Sequence, residues 1–254
     1  YRKVVVRQNL KIAFPNKNQS ELKKIEKLFY RHFVDSFLES IKGLSMSKKA
    51  FGKRLYVENP EVLDAFYESG RSIILYAGHY GNWEWLLSLP LYDKHQLTTF
   101  YKPQKNSYFD SLMIHIRSRY GLICLESNKG FKSLIEFKRK NILTTTLMIG
   151  DQSPRSGRPA YIADFFNLDT DFLPGAAKIA QKANQVLLFP FYSKVKRGHY
   201  KVRFHLLEEN PKEHTAEEIV NKFSSMLENQ IKSEPELWLW SHKRWKNIEG
   251  MSYS

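Results

Sequence analysis

A chain of 254 residues is long enough to bury one substantial core, with or without a small helical appendage. Hydrophobic content of 42% with 14% aromatics excludes disorder as the default, and a single cysteine, Cys124, excludes an internal disulfide. The excess of 40 Lys+Arg over 26 Asp+Glu gives a formal charge of +14, which calls for an anionic partner: nucleic acid, a phospholipid surface or an acidic protein.

No run approaches the roughly 18 apolar residues of a membrane-spanning helix, and no secretory signal pattern is present. In chain order, Leu22, Ile25, Leu28, Phe29, Phe33, Phe37 and Ile41 recur at three- and four-residue steps. That spacing predicts a long helix over 20–42, with Ser20 as its N-cap. A basic connector holding Lys48, Lys49, Lys53 and Arg54 follows, and Pro60 opens a short helix to about Glu68, stopped by Gly70. The apolar run 72–77 reads as a buried strand. It ends in Gly78-His79-Tyr80-Gly81-Asn82-Trp83-Glu84, ahead of a helical WLLSLPL.

A second strand is expected over 97–101, and helices over 108–120 and 130–140. Residues 142–149 are β-branched and apolar, a further buried strand landing on Gly150-Asp151-Gln152. Past Phe165-Phe166 come a helix over 175–183, a strand over 186–192 and an alternating, edge-like strand over 200–206. A last helix over 215–232 precedes the aromatic-basic tail PELWLWSHKRWK.

Strands alternating with helices imply an α/β fold, a central mixed, largely parallel sheet flanked by helices. In such sheets polar residues just past strand C-termini line the active crevice, and His79 and Asp151 both sit there. No repeat, low-complexity stretch or linker divides the chain. Residues 1–254 therefore read as a single domain, with a helical segment 1–58 packed on the α/β core.

His79 and Glu84 lie five positions apart across a strand-to-helix turn. Acyl transfer to an alcohol needs a base for the hydroxyl proton, and imidazole suits that task near neutral pH. A carboxylate beside it holds one tautomer and balances the imidazolium that forms. Gly78 and Gly81 permit a tight turn close to a substrate.

The string GHYGNWE resembles the HX4E signature of the late acyltransferases of lipid A biosynthesis, relatives of the glycerol-phosphate acyltransferases with their HX4D box. The resemblance extends along the chain. Tyr1-Arg2-Lys3-Val4-Val5, Asn9-Leu10 and Ala13-Phe14-Pro15 resemble the family's opening segment, and Tyr101-Lys102-Pro103 with Asn106, Asp110 and Arg117 its second block. Gly150-Asp151-Gln152, Phe165-Phe166 and Leu173-Pro174-Gly175-Ala176 follow in the family's order. Pro235, Trp238, Trp240, His242, Lys243-Arg244 and Lys246 resemble its C-terminal signature. Two positions depart from the pattern: Lys102 stands where Arg is usual, which loses a planar bidentate fork, and Asn167 stands where Gly is usual.

This resemblance implies a glycerol-phosphate-acyltransferase-like fold and an O-acyltransferase that moves a fatty acyl chain from an acyl thioester to a hydroxyl of a lipid A precursor. It makes His79 the general base and Glu84 its partner. Asn82, Lys102, Asn106, Arg117, Asp151 and Gln152 become substrate-binding residues. It further implies an acyl carrier protein as donor, an anionic lipid acceptor, a membrane surface as partner and a place on the cytoplasmic side of the inner membrane. An upstream membrane helix would precede Tyr1. No cofactor is expected, because the thioester already holds the activation energy.

The alternative is the same chemistry on a glycerophospholipid or aminolipid. Glu84 in place of Asp, and the lack of a proline-glutamate-glycine-threonine block, favour the lipid A branch. A nucleic-acid-binding protein would also be basic, but here the charge is spread along the chain without a binding motif. The eight histidines are scattered without metal-ligand spacing.

Other residues carry two readings each. Asp151 either caps a turn or orients a cation or the acceptor. Arg117 and Arg119 are either solvated helix charges or a grip on phosphate. Trp238, Trp240 and Trp245 are either core or, beside Lys243, Arg244 and Lys246, an interfacial belt.

Overall fold

The computed structural model describes residues 1–254 except Leu44, Lys105, Ser156, Glu249, Met251, Ser252 and Ser254. The chain opens with α1 (Lys3–Ala13), α2 (Gln19–Gly43), a short α3 (Lys48–Gly52), β1 (Leu55–Val57) and α4 (Glu61–Glu68). Its middle runs β2 (Ile73–Ala77), a 3₁₀ helix (Trp83–Leu91), β3 (Gln96–Tyr101), α5 (Ser107–Ser118), β4 (Ile123–Glu126), α6 (Gly130–Arg139) and β5 (Thr144–Ile149). The last third holds β6 (Tyr161–Asp164), β7 (Asp169–Phe172), α7 (Gly175–Ala183), β8 (Val186–Lys196), β9 (His199–Glu208), α8 (Ala216–Ser233) and one 3₁₀ turn (Pro235–Leu237).

Seven strands form one sheet in the order β1-β9-β8-β2-β5-β3-β4, parallel throughout except for the antiparallel β8–β9 pair. This is the expected α/β class with a mixed, largely parallel sheet. Every residue of β2 is buried, as a central parallel strand covered on both faces requires. Tyr76 of β2 lies flat on Phe223 of α8, ring centroids 3.7 Å apart. α7 comes down on the sheet through Ala176, Ala177, Ala180 and Ala183, small enough for close approach. β6 and β7 make a separate hairpin. Its turn takes Phe166 and Asn167 to φ 59 and 58, so Asn167 supplies the left-handed geometry usually given by glycine.

Two expectations are corrected here. The strand over 200–206 is not at an edge, because β1 pairs beyond it, Leu55 opposite Tyr200. A three-residue strand inside a basic connector has no periodicity to reveal it, and it also means that segment 1–58 is not wholly helical. The N-cap of α2 is Asn18 rather than Ser20. Asn18 Oδ1 accepts from Glu21 N at 3.0 Å and Glu21 Oε2 accepts from Asn18 N at 2.8 Å. This reciprocal capping stabilises the helix start by about 1 kcal/mol.

The two ends of the chain meet. Asn9, fully buried on α1, donates its side-chain amide to the carbonyls of Trp240 and His242, both at 2.7 Å. Among the described residues no helix is long and apolar enough to cross a membrane.

Candidate active site

β2 and β5 are parallel neighbours, and their register sets Ala77 opposite Ile149. Two residues beyond that pair, each strand delivers its polar group: His79 from β2 and Asp151 from β5. Asp151 Oδ1 lies 2.6 Å from His79 Nδ1, and Oδ2 accepts from the His79 backbone N–H at 2.8 Å. Gly78 makes the approach possible. A Cβ there would stand 2.6 Å from Leu227 Cδ1 and 3.2 Å from Asp151 Oδ2.

Asp151 is buried at 2% exposure. Burial pushes its carboxyl up, but the His79 charge and the hydrogen bonds from His79 and Trp238 outweigh that and hold it at about 2. With Asp151 taken up on Nδ1, Nε2 is the ring nitrogen left facing the cavities for a substrate proton. Gln152 brings its amide nitrogen to 3.5 Å from that Nε2, and the Trp83 ring stands edge-on to the imidazole at 4.9 Å.

Among the described residues the Glu84 carboxylate makes its hydrogen bonds to Arg117 and none to His79. Gly81 turns the chain at φ 61, and Asn82 caps the following 3₁₀ helix by accepting from Glu84 N at 3.2 Å. This turn carries the Glu84 carboxylate to Arg117 of α5, whose Nη2 donates to it at 2.9 Å. Burial lowers the Arg117 pKa, and its ion pair with Glu84 more than restores it, so the net direction is upward. Arg117 is thus neither free nor merely solvated. Asn82, expected to bind substrate, has both ends of its amide engaged: Oδ1 as the cap, Nδ2 on Glu39 Oε2 at 2.7 Å.

The C-terminal residues strap the turns that carry His79 and Asp151. Trp238 Nε1 donates to Asp151 Oδ2 at 2.8 Å. Leu239 N donates to the His79 carbonyl at 3.1 Å and Gly81 N to the Leu237 carbonyl at 2.9 Å. Beyond Asp151, Ser153 N donates to His242 Nε2 at 3.0 Å, and Ser153 Oγ donates to the carbonyls of Lys243 and Arg244.

The belt reading of the tryptophans is therefore overturned. Trp238, Trp240 and Trp245 are buried against Phe165 and Phe166, and Arg244 is buried with its guanidinium 4.2 Å from the Phe172 ring centre. Burial draws that guanidinium down to about 10, against the pull of Asp151. Nothing in the spacing of PELWLW marks one indole as a donor to a carboxylate, so this contact was not legible in the sequence. Arg119 donates to the carbonyls of Gly43 and Met46, a structural tie rather than a phosphate grip.

Two cavities meet at His79. The apolar one, about 210 Å³, runs along α2 and is walled by Phe29, Phe33, Phe37, Trp83, Leu237 and Leu239. The polar one, about 360 Å³, includes Glu84, Thr99, Arg117 and Ser127 in its wall. Glu84 borders both. Lys102 and Asn106 are exposed in the loop between β3 and α5 and belong to neither wall. Among the described residues no cluster of His, Cys, Asp and Glu could hold a metal.

A buried carboxylate on a histidine, with an apolar cavity on one side and a cation-bearing one on the other, suits acyl transfer between an acyl chain and a polar acceptor. Sequence comparison agrees. The chain is 25% identical over 243 residues to a lipid A biosynthesis acyltransferase of Haemophilus influenzae, covering 91% of this chain and 72% of that protein. Residues 2–247 match the family described as bacterial lipid A biosynthesis acyltransferase. With nearly the whole chain inside that match, it belongs to the bacterial lipid A biosynthesis acyltransferase family, enzymes that transfer acyl groups in lipid A synthesis.

Proposed function

We propose that the chain transfers a fatty acyl group from an acyl carrier protein thioester to a hydroxyl of a lipid A precursor, at the cytoplasmic face of the inner membrane. The observation that carries this reading is the His79–Asp151 pair standing where an apolar and a polar cavity meet. The acyl chain lies in the apolar cavity against Phe29, Phe33 and Phe37. The acceptor enters the polar cavity, where Arg117 faces its anionic groups and Glu84 holds Arg117 in place.

His79 Nε2 takes the proton of the acceptor hydroxyl as its oxygen attacks the thioester carbonyl. The tetrahedral intermediate then collapses, the C–S bond breaks, and the imidazolium returns the proton to the leaving thiolate. Asp151 stays ionised, holding the ring and balancing its transient charge. Gln152, next to Nε2, is positioned to donate to the developing oxyanion. The net charge of +14 supports an acidic carrier as donor, drawn in by long-range attraction.

The test compares acyl carrier protein and acyl-coenzyme A bearing the same chain, with the acceptor in detergent micelles, across a salt series. Screening shortens the Debye length from about 10 Å at 0.1 M to about 3 Å at 1 M, so the carrier-dependent rate should fall steeply. Equal rates from the two donors, or a carrier rate indifferent to salt, overturn the donor assignment. Inability to acylate any lipid A precursor overturns the acceptor.

A further inference from the structure

α2 presents two different surfaces. Its inner flank, through Phe29, Phe33, Ser36 and Ser40, walls the apolar cavity beside His79. Its outer face is uncovered among the described residues: Val34, Phe37, Leu38 and Ile41 are 53%, 66%, 51% and 49% exposed. These four lie at i, i+3, i+4 and i+7, a single stripe about 10 Å long. Phe37 belongs to both surfaces, so the stripe is continuous with the cavity mouth.

From Lys23 onward the exposed charge of α2 is of one sign. The other exposed residues of α2 from Lys23 onward are Lys23, Lys24, Lys27 and Arg31 before the stripe and Lys42 after it. The acids of this stretch turn inward. Glu26 is buried and paired with Arg7. Asp35 is buried and bound by Arg197 at 2.7 Å. Glu39 accepts from Asn82, Trp85 and Tyr200. The Arg197 contact also brings the tip of the β8–β9 hairpin, with exposed Val195 and Lys196, alongside α2.

We infer that the outer face of α2 seats this protein on an anionic phospholipid bilayer, with Val34, Phe37, Leu38 and Ile41 dipping below the headgroups. Bulky apolar side chains between basic residues on one exposed helix face match a helix lying in the interface plane, its lysines reaching lipid phosphates. Each basic residue near such a surface contributes about a fivefold gain in partition, which salt screens. Seating α2 this way opens the cavity mouth beside Phe37 directly to the lipid phase. The inference deepens the proposed function by naming which face meets the membrane, and membrane binding can be read without any acyl transfer.

The test is sedimentation of the 254-residue chain with phosphatidylcholine vesicles, with and without phosphatidylglycerol. Val34→Ser, Leu38→Ser and Ile41→Ser together should lower partition on the order of tenfold or more, with an unchanged melting transition because all three are exposed. Lys27→Glu with Arg31→Glu should lower binding to the phosphatidylglycerol vesicles by about tenfold or more and leave neutral vesicles unaffected. A Leu38→Trp variant gives a readout independent of the triple variant: brominated lipid should quench the added indole. His79→Ala should bind like the wild type, so a failed transfer assay does not bear on this inference. Equal sedimentation of wild type and triple variant, or no quenching at position 38, overturns it. So does a triple variant that loses self-association or capture of acyl carrier protein while keeping its vesicle binding.

Discussion

Asp151 and His79 are 72 positions apart in the chain and 2.6 Å apart in space, and a single strand register accounts for both numbers. The carboxylate sits on Nδ1, is buried, and is held ionised at about 2. It meets the requirements for a group that orients a general base.

Asp151→Asn should therefore lower the rate of acyl transfer by about 10²–10⁴, comparable with His79→Ala, while the protein still folds. The measurement is single-turnover transfer beside a circular dichroism melt. Full activity in Asp151→Asn together with an inactive Glu84→Gln would return the partner role to Glu84.

Trp238 acts through Asp151. Trp238→Phe keeps the ring in its cluster but removes the N–H that reaches Oδ2. A hydrogen bond to a charged group contributes about 1.5–3 kcal/mol, so the Asp151 pKa should rise by one to two units. The acid limb of the pH–rate profile should move upward, with kcat reduced about tenfold. Lost stability with an unmoved profile would mark the indole as packing alone.

Arg117 and Glu84 form a half-buried pair at the polar cavity, so changes there should act on the acceptor rather than on the proton transfer. Arg117→Met should raise the acceptor KM by about tenfold and leave the donor KM unchanged. Arg117→Lys should recover only part of the loss, since an ammonium lacks the planar fork. A fall in kcat with constant KM would contradict this placement.

His32 and His242 make stability depend on pH. Burial comes first among the causes in both, and each is held down at about 4. Below about 6.5 the unfolded chain binds protons that the folded one refuses. Stability should therefore fall as pH drops from about 6.5 to 4. The stabilisation from Asp151, a depressed carboxyl, is present above its unfolded value and is lost only as pH falls towards 2. Urea midpoints measured across this range test the assignment: His32→Gln should flatten the slope.

Much of the frame was legible. The apolar runs over 72–77 and 142–149 are strands within a residue or two, because a central parallel strand is apolar on both faces and leaves a continuous signal. The helix periodicity over 20–42 is equally local. β1 is hidden because three residues carry no period, and without it the alternating pattern of β9 reads as an edge.

The candidate base His79, its turn and the family string around it follow from the sequence by itself, since all three are contained in a few consecutive residues. Which carboxylate touches the ring was decided only by tertiary structure. Sequence proximity favoured Glu84, but the Gly81 turn and the Asn82 cap send that side chain to Arg117, while the β2–β5 register brings Asp151 to Nδ1. Trp238 closes the same contact from the far end of the chain. Helices and buried strands write their period into adjacent residues, whereas a hydrogen bond across a sheet depends on the relative placement of two strands, and no local pattern of residues encodes that.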